Sequence, residues 1–452
     1  MAVWNIINFH SLFAGLDLSA EHYHHEKLHW LRNFQSSNGK EIGGVACNCR
    51  NITTPNSKLP TDLPIFDLGA GSKHILQIED NFEDERISAK KLVKSGDVLV
   101  SRLRSYLRQI AIVPASISEA LVSTEFIVLR PKSRALITYL VPFFLSKQVQ
   151  TILAWSQDGN EHPRFDENLL LELRIPPAIS AISENLNRLI DQFAEGIISA
   201  NKTFASAEAT LVDALGLTEL DLAPRLFYEA SYAEASAASR IDAEYFNPRM
   251  RNLIVALSKE GLTIADVAPL AKRQFKPESG HPFDYIEISN VTMSGVAESN
   301  CIPGEEAPSR AQWIVKPGDV ITSTVRPIRR LSALVQPDQS GFVCSSGFAV
   351  LEPKGIEPEL LLTYLRLPLI CELFDLHTTA SMYPAISTTD LLRMPIRLPG
   401  SKERKTITQQ VRQSIAARRE ASRLLDTAER AVEIAIEKNE TEAIRFLKEA
   451  GV

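Results

Sequence analysis

The chain has few cysteines, no long apolar run and no surplus of positive charge, and each shortage closes off a class of protein. Five cysteines in 452 residues, Cys47, Cys49, Cys301, Cys344 and Cys371, are too scattered for a disulfide framework, and Cys47-Asn48-Cys49 lacks the second pair a zinc site needs. No stretch approaches the length that spans a bilayer. The opening MAVWNIINFHSLFAGLDLSAEHY has no basic leader and no small-residue cleavage site, so no membrane association and a cytoplasmic location are expected. A formal charge of −6 argues against non-specific coating of nucleic acid, although specific reading depends only on the charge placed near phosphates. There is no G-x-x-x-x-G-K-[ST] phosphate loop, hence no visible motor function. Asn247-Pro248-Arg249 is the nearest approach to an amino-methylation motif and does not complete one. Asp84-Glu85 ahead of Lys90-Lys91 has an acidic–basic spacing that arises by chance in most chains of this length. The cluster His22-Tyr23-His24-His25 reads as a solvated helix face, because adjacent helical side chains point in different directions; no metal or cofactor is expected.

What the chain does have is a repeat. KSGDVLVSRLR begins at Lys94 and KPGDVITSTVR at Lys316, 222 residues later. The match extends in both directions. Leu18-Ser19-Ala20-Glu21-His22-Tyr23 meets Ile241-Asp242-Ala243-Glu244-Tyr245-Phe246, and Ser123-Thr124-Glu125-Phe126 meets Ser345-Ser346-Gly347-Phe348. Leu173-Arg174-Ile175-Pro176 meets Ile396-Arg397-Leu398-Pro399.

After each Pro-ended segment a heptad seam begins. Leu186, Ile190, Phe193, Ile197, Ala200, Phe204, Ala207, Leu211 and Ala214 recur in steps of four and three up to Gly216. A shift of 221 gives Ile407, Val411, Ser414, Arg418, Ala421, Leu425, Ala428, Val432 and Ala435. Alternating alanines permit close approach of two backbones, so the two helices are expected to pack on each other, antiparallel. A helix from Ser183 to Leu215 is roughly 50 Å long at 1.5 Å per residue. The fold class is α+β: two pseudo-repeated domains, each followed by a long helix, with the helices forming an antiparallel coiled coil. The expected boundaries are 1–180 for the first domain, 181–216 for its helix and 217–235 for a linker. The second domain follows at 236–400 and its helix at 401–438, with an unassigned tail at 439–452.

Gly96 and Gly318 sit where a type II turn requires positive φ, and each turn launches a strand. Strict alternation places Arg102 and Arg104 on one strand face, and Arg326 with Thr322 and Thr324 on the equivalent face. The loops beyond carry Arg102, Arg104 and Arg108 in one half and Arg326, Arg329 and Arg330 in the other. Such clusters serve phosphate contact and bidentate contact with guanine, or else intramolecular salt-bridge networks; both readings stand. A second pair of loops is marked by Pro163 and Pro384, with Asn160, His162 and Arg164 in one and Ser381 and Tyr383 in the other. A loop held in place but varied in chemistry suits two related reading heads with different targets, or is a plain surface turn.

The ordered set of G-D-V-[LI] strand, paired loops, [IL]-x-[IL]-P segment and long helix, repeated at 221 to 223 residues, resembles the specificity subunit of type I restriction-modification systems. The resemblance covers almost the whole chain. It implies that each half reads one half of a bipartite sequence in double-stranded DNA, and that the helices act as a ruler of about fifteen base pairs at 3.4 Å per step. It further implies docking of two methyltransferase subunits, with restriction/translocase subunits completing the complex and the chain itself catalysing nothing. IPPAISAISENLNRL and LPGSKERKTITQQV stand where family members carry a Pro-rich stretch followed by Glu-Gln. Other readings are a subunit of another methylation-based phage-defence system, a nuclease or methyltransferase with cryptic motifs, and a protein-binding scaffold without DNA contact.

Overall fold

The computed structural model describes residues 20–54, 63–78, 88–223, 225–238, 240–292, 295–379 and 382–452. Leu18, Ser19, Asp84, Glu85 and Ser381, singled out above, lie outside them. The chain forms a mixed α+β structure of two compact units, residues 1–198 with 419–452, and residues 199–418.

In the first unit the strand Val98–Ser101 lies between Phe126–Pro131 and Ile110–Ile112, antiparallel to both. Ala46–Asn48 completes that sheet on the far side of Phe126–Pro131. A second sheet pairs Lys90–Lys94 with Glu119–Ser123 and carries Ile65–Phe66 parallel to Glu119–Ser123. Leu99, Ala111 and Val128 from one sheet meet Phe66, Val93 and Val122 from the other. The opposite face of the first sheet, with Val98, Val100 and Ile127, packs under Phe143, Phe144 and Ile152 of the helices Leu140–Leu145 and Lys147–Ala154. Every residue of Val98–Ser101 is therefore buried, each large aliphatic side chain contributing about 1.5–3 kcal/mol.

The second unit has a related arrangement around a three-stranded sheet. Val320–Ser323 lies between Phe348–Leu351 and Ser332–Leu334, and Phe283–Ile286 runs parallel to Val343–Ser345. Helices Pro358–Arg366 and Pro368–Leu376 cover the outer face of the sheet that holds Val320–Ser323.

The two long helices are Ser183–Ala214 and Ser401–Glu437, and the division between units falls within both. In the first unit Leu186, Ile190, Phe193 and Ile197 share a core with Ala421, Leu425, Ala428 and Val432. In the second unit Phe204, Ala207 and Leu211 share one with Ile407 and Val411. There the direction is antiparallel: the Gln410 amide donates to Ser206 Oγ at 2.9 Å, and Ser414 Oγ donates to the Ala200 carbonyl at 2.8 Å. The two polar seam positions are thus accounted for, because Ser414 is fully buried with its hydroxyl satisfied and Arg418 donates to Asn201 Oδ1.

Three expectations are corrected. The alternating strand face ends at Ser101, because Arg104 takes a left-handed backbone conformation instead of continuing the strand. Just past the end of the first long helix Leu215 is buried, whereas Ala214 is only half-buried, since a 3.6-residue turn drifts away from a strict heptad. The histidine cluster is a solvated face only in part: His25 is exposed and His22 half-buried, but Tyr23 and His24 are buried, and the His24 ring stacks on Trp155 with centroids 3.8 Å apart. The tail beyond residue 438, for which the sequence suggested no structure, is a helix, Glu440–Glu449, capped by Asn439 and packed into the first unit's core through Ala443 and Leu447.

Candidate nucleic-acid interface

The repeated motif is a corner. Gly96 and Gly318 have φ of 84° and 86°, and Asp97 N–H and Asp319 N–H each donate to the lysine carbonyl three residues back at 3.0 Å. The aspartate side chains then fold back. Asp97 accepts from Lys94 N–H at 2.8 Å and from two nitrogens of Arg130 at 2.8 and 2.6 Å. Asp319 accepts from Lys316 N–H at 2.7 Å and pairs with Arg273, while its burial pushes the carboxyl up from the usual range. Lysine, glycine and aspartate are thus spent on aiming the strand.

Each strand delivers a loop framed by two left-handed arginines. Arg104 and Arg108 both have φ of 50°, Arg326 has 49° and Arg330 has 59°, with one 3-10 turn between the members of each pair. A left-handed non-glycine residue costs roughly 1–2 kcal/mol, so the surroundings must hold it. The first arginine of each pair binds the proline-marked loop. Arg104 N–H donates to the Pro163 carbonyl at 2.9 Å and its Nη2 to the Glu161 carbonyl at 3.2 Å. Arg326 N–H donates to the Pro384 carbonyl at 2.7 Å and its Nη2 to the Met382 carbonyl at 3.0 Å. The second arginine turns to the helices. Arg108 Nη2 donates to the Leu145 carbonyl at 2.8 Å and to Glu429 at 2.7 Å. Arg330 donates to the Arg366 carbonyl at 2.6 Å and to Glu208 at 2.5 Å.

The two loop clusters share this frame and differ in what they expose. In the first unit Glu125 bridges Arg102, at 3.0 Å, and Arg164, which it holds through both oxygens; the Arg164 hydrogen bonds keep the Glu125 carboxyl below its ordinary range. In the second unit Thr324, Gly347 and Ala385 stand at the matching positions, and Thr324 Oγ1 donates to the Gly347 carbonyl at 3.0 Å. The first surface presents Tyr106, Leu107, Asn160 and His162, with the imidazole 3.5 Å from Arg104. The second presents Ile328, Arg329, Met382 and Tyr383, with the Arg326 guanidinium 5.2 Å from the center of the Tyr383 ring.

Of the expected site residues, Arg104 meets His162 and Arg326 meets Tyr383, which joins the two sequence-distant loops in each unit. Arg102 and Arg164 are joined through Glu125, whereas Arg108 and Arg330 face the long helices. Sequence reasoning missed Glu125, Glu208 and Glu429. A signal existed for the last two: they are related by the same 221-residue shift as the seam and follow the seam residues Ala207 and Ala428.

No family model matches the chain, and no curated protein matches it. Among solved structures, one reported with the assembly and conformational transition of a type I R-M system is 18% identical, covering 89% of this chain and 98% of its own, with a TM-score of 0.29. The HsdS subunit from Thermoanaerobacter tengcongensis is 19% identical, covering 88% of this chain and 95% of its own at 0.28. The type I restriction-modification S subunit from M. genitalium is 10% identical, covering 91% and 96% at 0.35.

Proposed function

We propose that this chain is the specificity subunit of a type I restriction-modification system, a non-catalytic reader of bipartite double-stranded DNA. Each unit reads one half-site through its arginine-framed loop and the proline-marked loop beside it. The long helices set the spacing and, with the units, dock two methyltransferase subunits; restriction/translocase subunits complete the assembly. The observation that carries this reading is one loop frame built twice with different exposed side chains, as two heads reading different half-sites require. Arg104, Arg326 and Arg329 are the proposed DNA-facing cations, with His162, Asn160 and Tyr383 beside them. Base-edge contacts of this kind discriminate by roughly 1–3 kcal/mol each.

The test is co-expression with the methyltransferase encoded beside it, followed by single-molecule sequencing of host DNA for methylated adenines. A two-part motif with a fixed spacer, lost when this chain is deleted, is the expected result. Arg104→Ala and Arg326→Ala should each relax one half of that motif and spare the other. Unchanged methylation by an active methyltransferase would overturn the proposal.

A protein-binding scaffold is the second reading, favoured by one observation. Arg102, Arg108, Arg164 and Arg330 are all ion-paired to carboxylates within their own unit, which reduces the cationic charge available to phosphates. The same experiment separates the two, since a scaffold leaves no motif.

A further inference from the structure

Arg108 and Arg330 stand where a DNA-facing loop meets a long helix, and their partners follow one rule. Glu429 belongs to the second long helix and pairs in the first unit; Glu208 belongs to the first long helix and pairs in the second unit. Each carboxylate therefore comes from the long helix that does not directly follow the sheet it serves. Both are largely shielded, with side-chain exposures of 23% and 19%. Each follows an alanine with no exposure, Ala428 or Ala207, so the seam packing fixes where the carboxylate sits. Only three residues separate the arginine it holds from the arginine tied to the other loop: Ser105–Leu107 in one unit, Pro327–Arg329 in the other. In the second unit the buried Arg366 also donates to the Arg330 and Ser332 carbonyls, at 3.1 and 3.2 Å, fastening the same corner.

We infer that Glu429 and Glu208 are positioning residues for recognition: each clamps one loop to a long helix, so that the register of the exposed tip is set by the helix and not by the loop alone. The inference rests on the DNA-reading function proposed above. A three-residue tip held at both ends has little freedom to shift against its target. Releasing the helix end gives it that freedom without altering any side chain that faces DNA.

The experiment uses the full chain co-expressed with its methyltransferase, with the host chromosome as probe. Glu429→Gln should lower methylation at cognate sites relative to sites degenerate in one half by about tenfold, the loss of one charge-assisted bond, and leave the other half of the motif intact. Glu208→Gln should do the same at the opposite half. Exchanging the charges, Arg108→Glu with Glu429→Arg, should restore selectivity, which separates loop positioning from damage to the fold. Equal loss at both halves, an unchanged motif, or an exchange that folds with the wild-type melting temperature but does not restore selectivity would each overturn the inference. A wild-type chain that yields no motif would fell the proposed function as well; a wild-type motif with unaltered variants fells this inference alone.

Discussion

Five non-glycine residues among those described have positive φ, and four are Arg104, Arg108, Arg326 and Arg330; the fifth is His74. Its Nδ1 lies 2.9 Å from the Ile110 carbonyl, so the ring donates there, and burial beside Arg108 pushes its pKa down to about 4. The folded state therefore binds this proton less readily than the unfolded chain, whose imidazole titrates near 6.5. The stabilisation is fully present above pH 6.5 and is lost progressively as the pH falls toward 4. It amounts to about 2 kcal/mol after allowing for the part of the ring that meets water. Thermal unfolding from pH 7.5 to 4 should show this fall in the wild type and a shallower one in His74→Asn, asparagine being tolerant of the left-handed conformation. An identical slope in both would remove His74 as the titrating group. At this scale the sequence disclosed residue types and little of their use: a run of arginines looks alike whether it faces phosphate or carboxylate.

Helix seams were far more legible. The spacing of Leu186, Ile190 and Phe193 and of Ile407 and Val411 marks an apolar stripe regardless of what lies opposite, and those residues are buried in the structure. The stripe is wider than the heptad rule, for Leu189, Ala194, Ile415 and Ala431 are buried too, because the helices pack on their own units as well as on each other. Close helix approach at the alanines implies little room for growth. Ala428→Leu should destabilise by about 1–3 kcal/mol through overpacking, and Ala416→Leu, at an exposed position on the same helix, should change stability by under about 0.5 kcal/mol. Denaturant midpoints for the two variants check this, and equal midpoints would mean that the seam is loosely packed. Strand reading succeeded for Val98–Ser101 as an element and failed past its end, where the left-handed Arg104 breaks the period-two pattern.

Across the whole molecule, the first unit is discontinuous in sequence: residues 419–452 complete a core begun by residues 20–198. The terminal helix Glu440–Glu449 belongs to that core, with Leu447 2% exposed. Leu447→Ala should cost about 2–4 kcal/mol as a cavity mutation. Hydrogen exchange should quicken in Pro177–Ala181 and Lys147–Ala154 of the first unit, while Val320–Ser323 of the second keeps its protection. Uniform acceleration in both units would show that they unfold together. Among the described residues no helix is long and apolar enough to cross a membrane.

The sequence by itself determined what depends on short-range chemistry. Glycine at positive φ marks the turns, period-3.5 apolar spacing marks the long helices, and similarity at offsets of 221 to 223 residues marks corresponding residues in the two halves. Tertiary structure alone decided which cations are engaged. Arg102 finds Glu125 across 23 residues, Arg330 finds Glu208 across 122 and Arg108 finds Glu429 across 321. An ion pair depends on distance in space, and no local pattern carries the position of a partner that far along the chain.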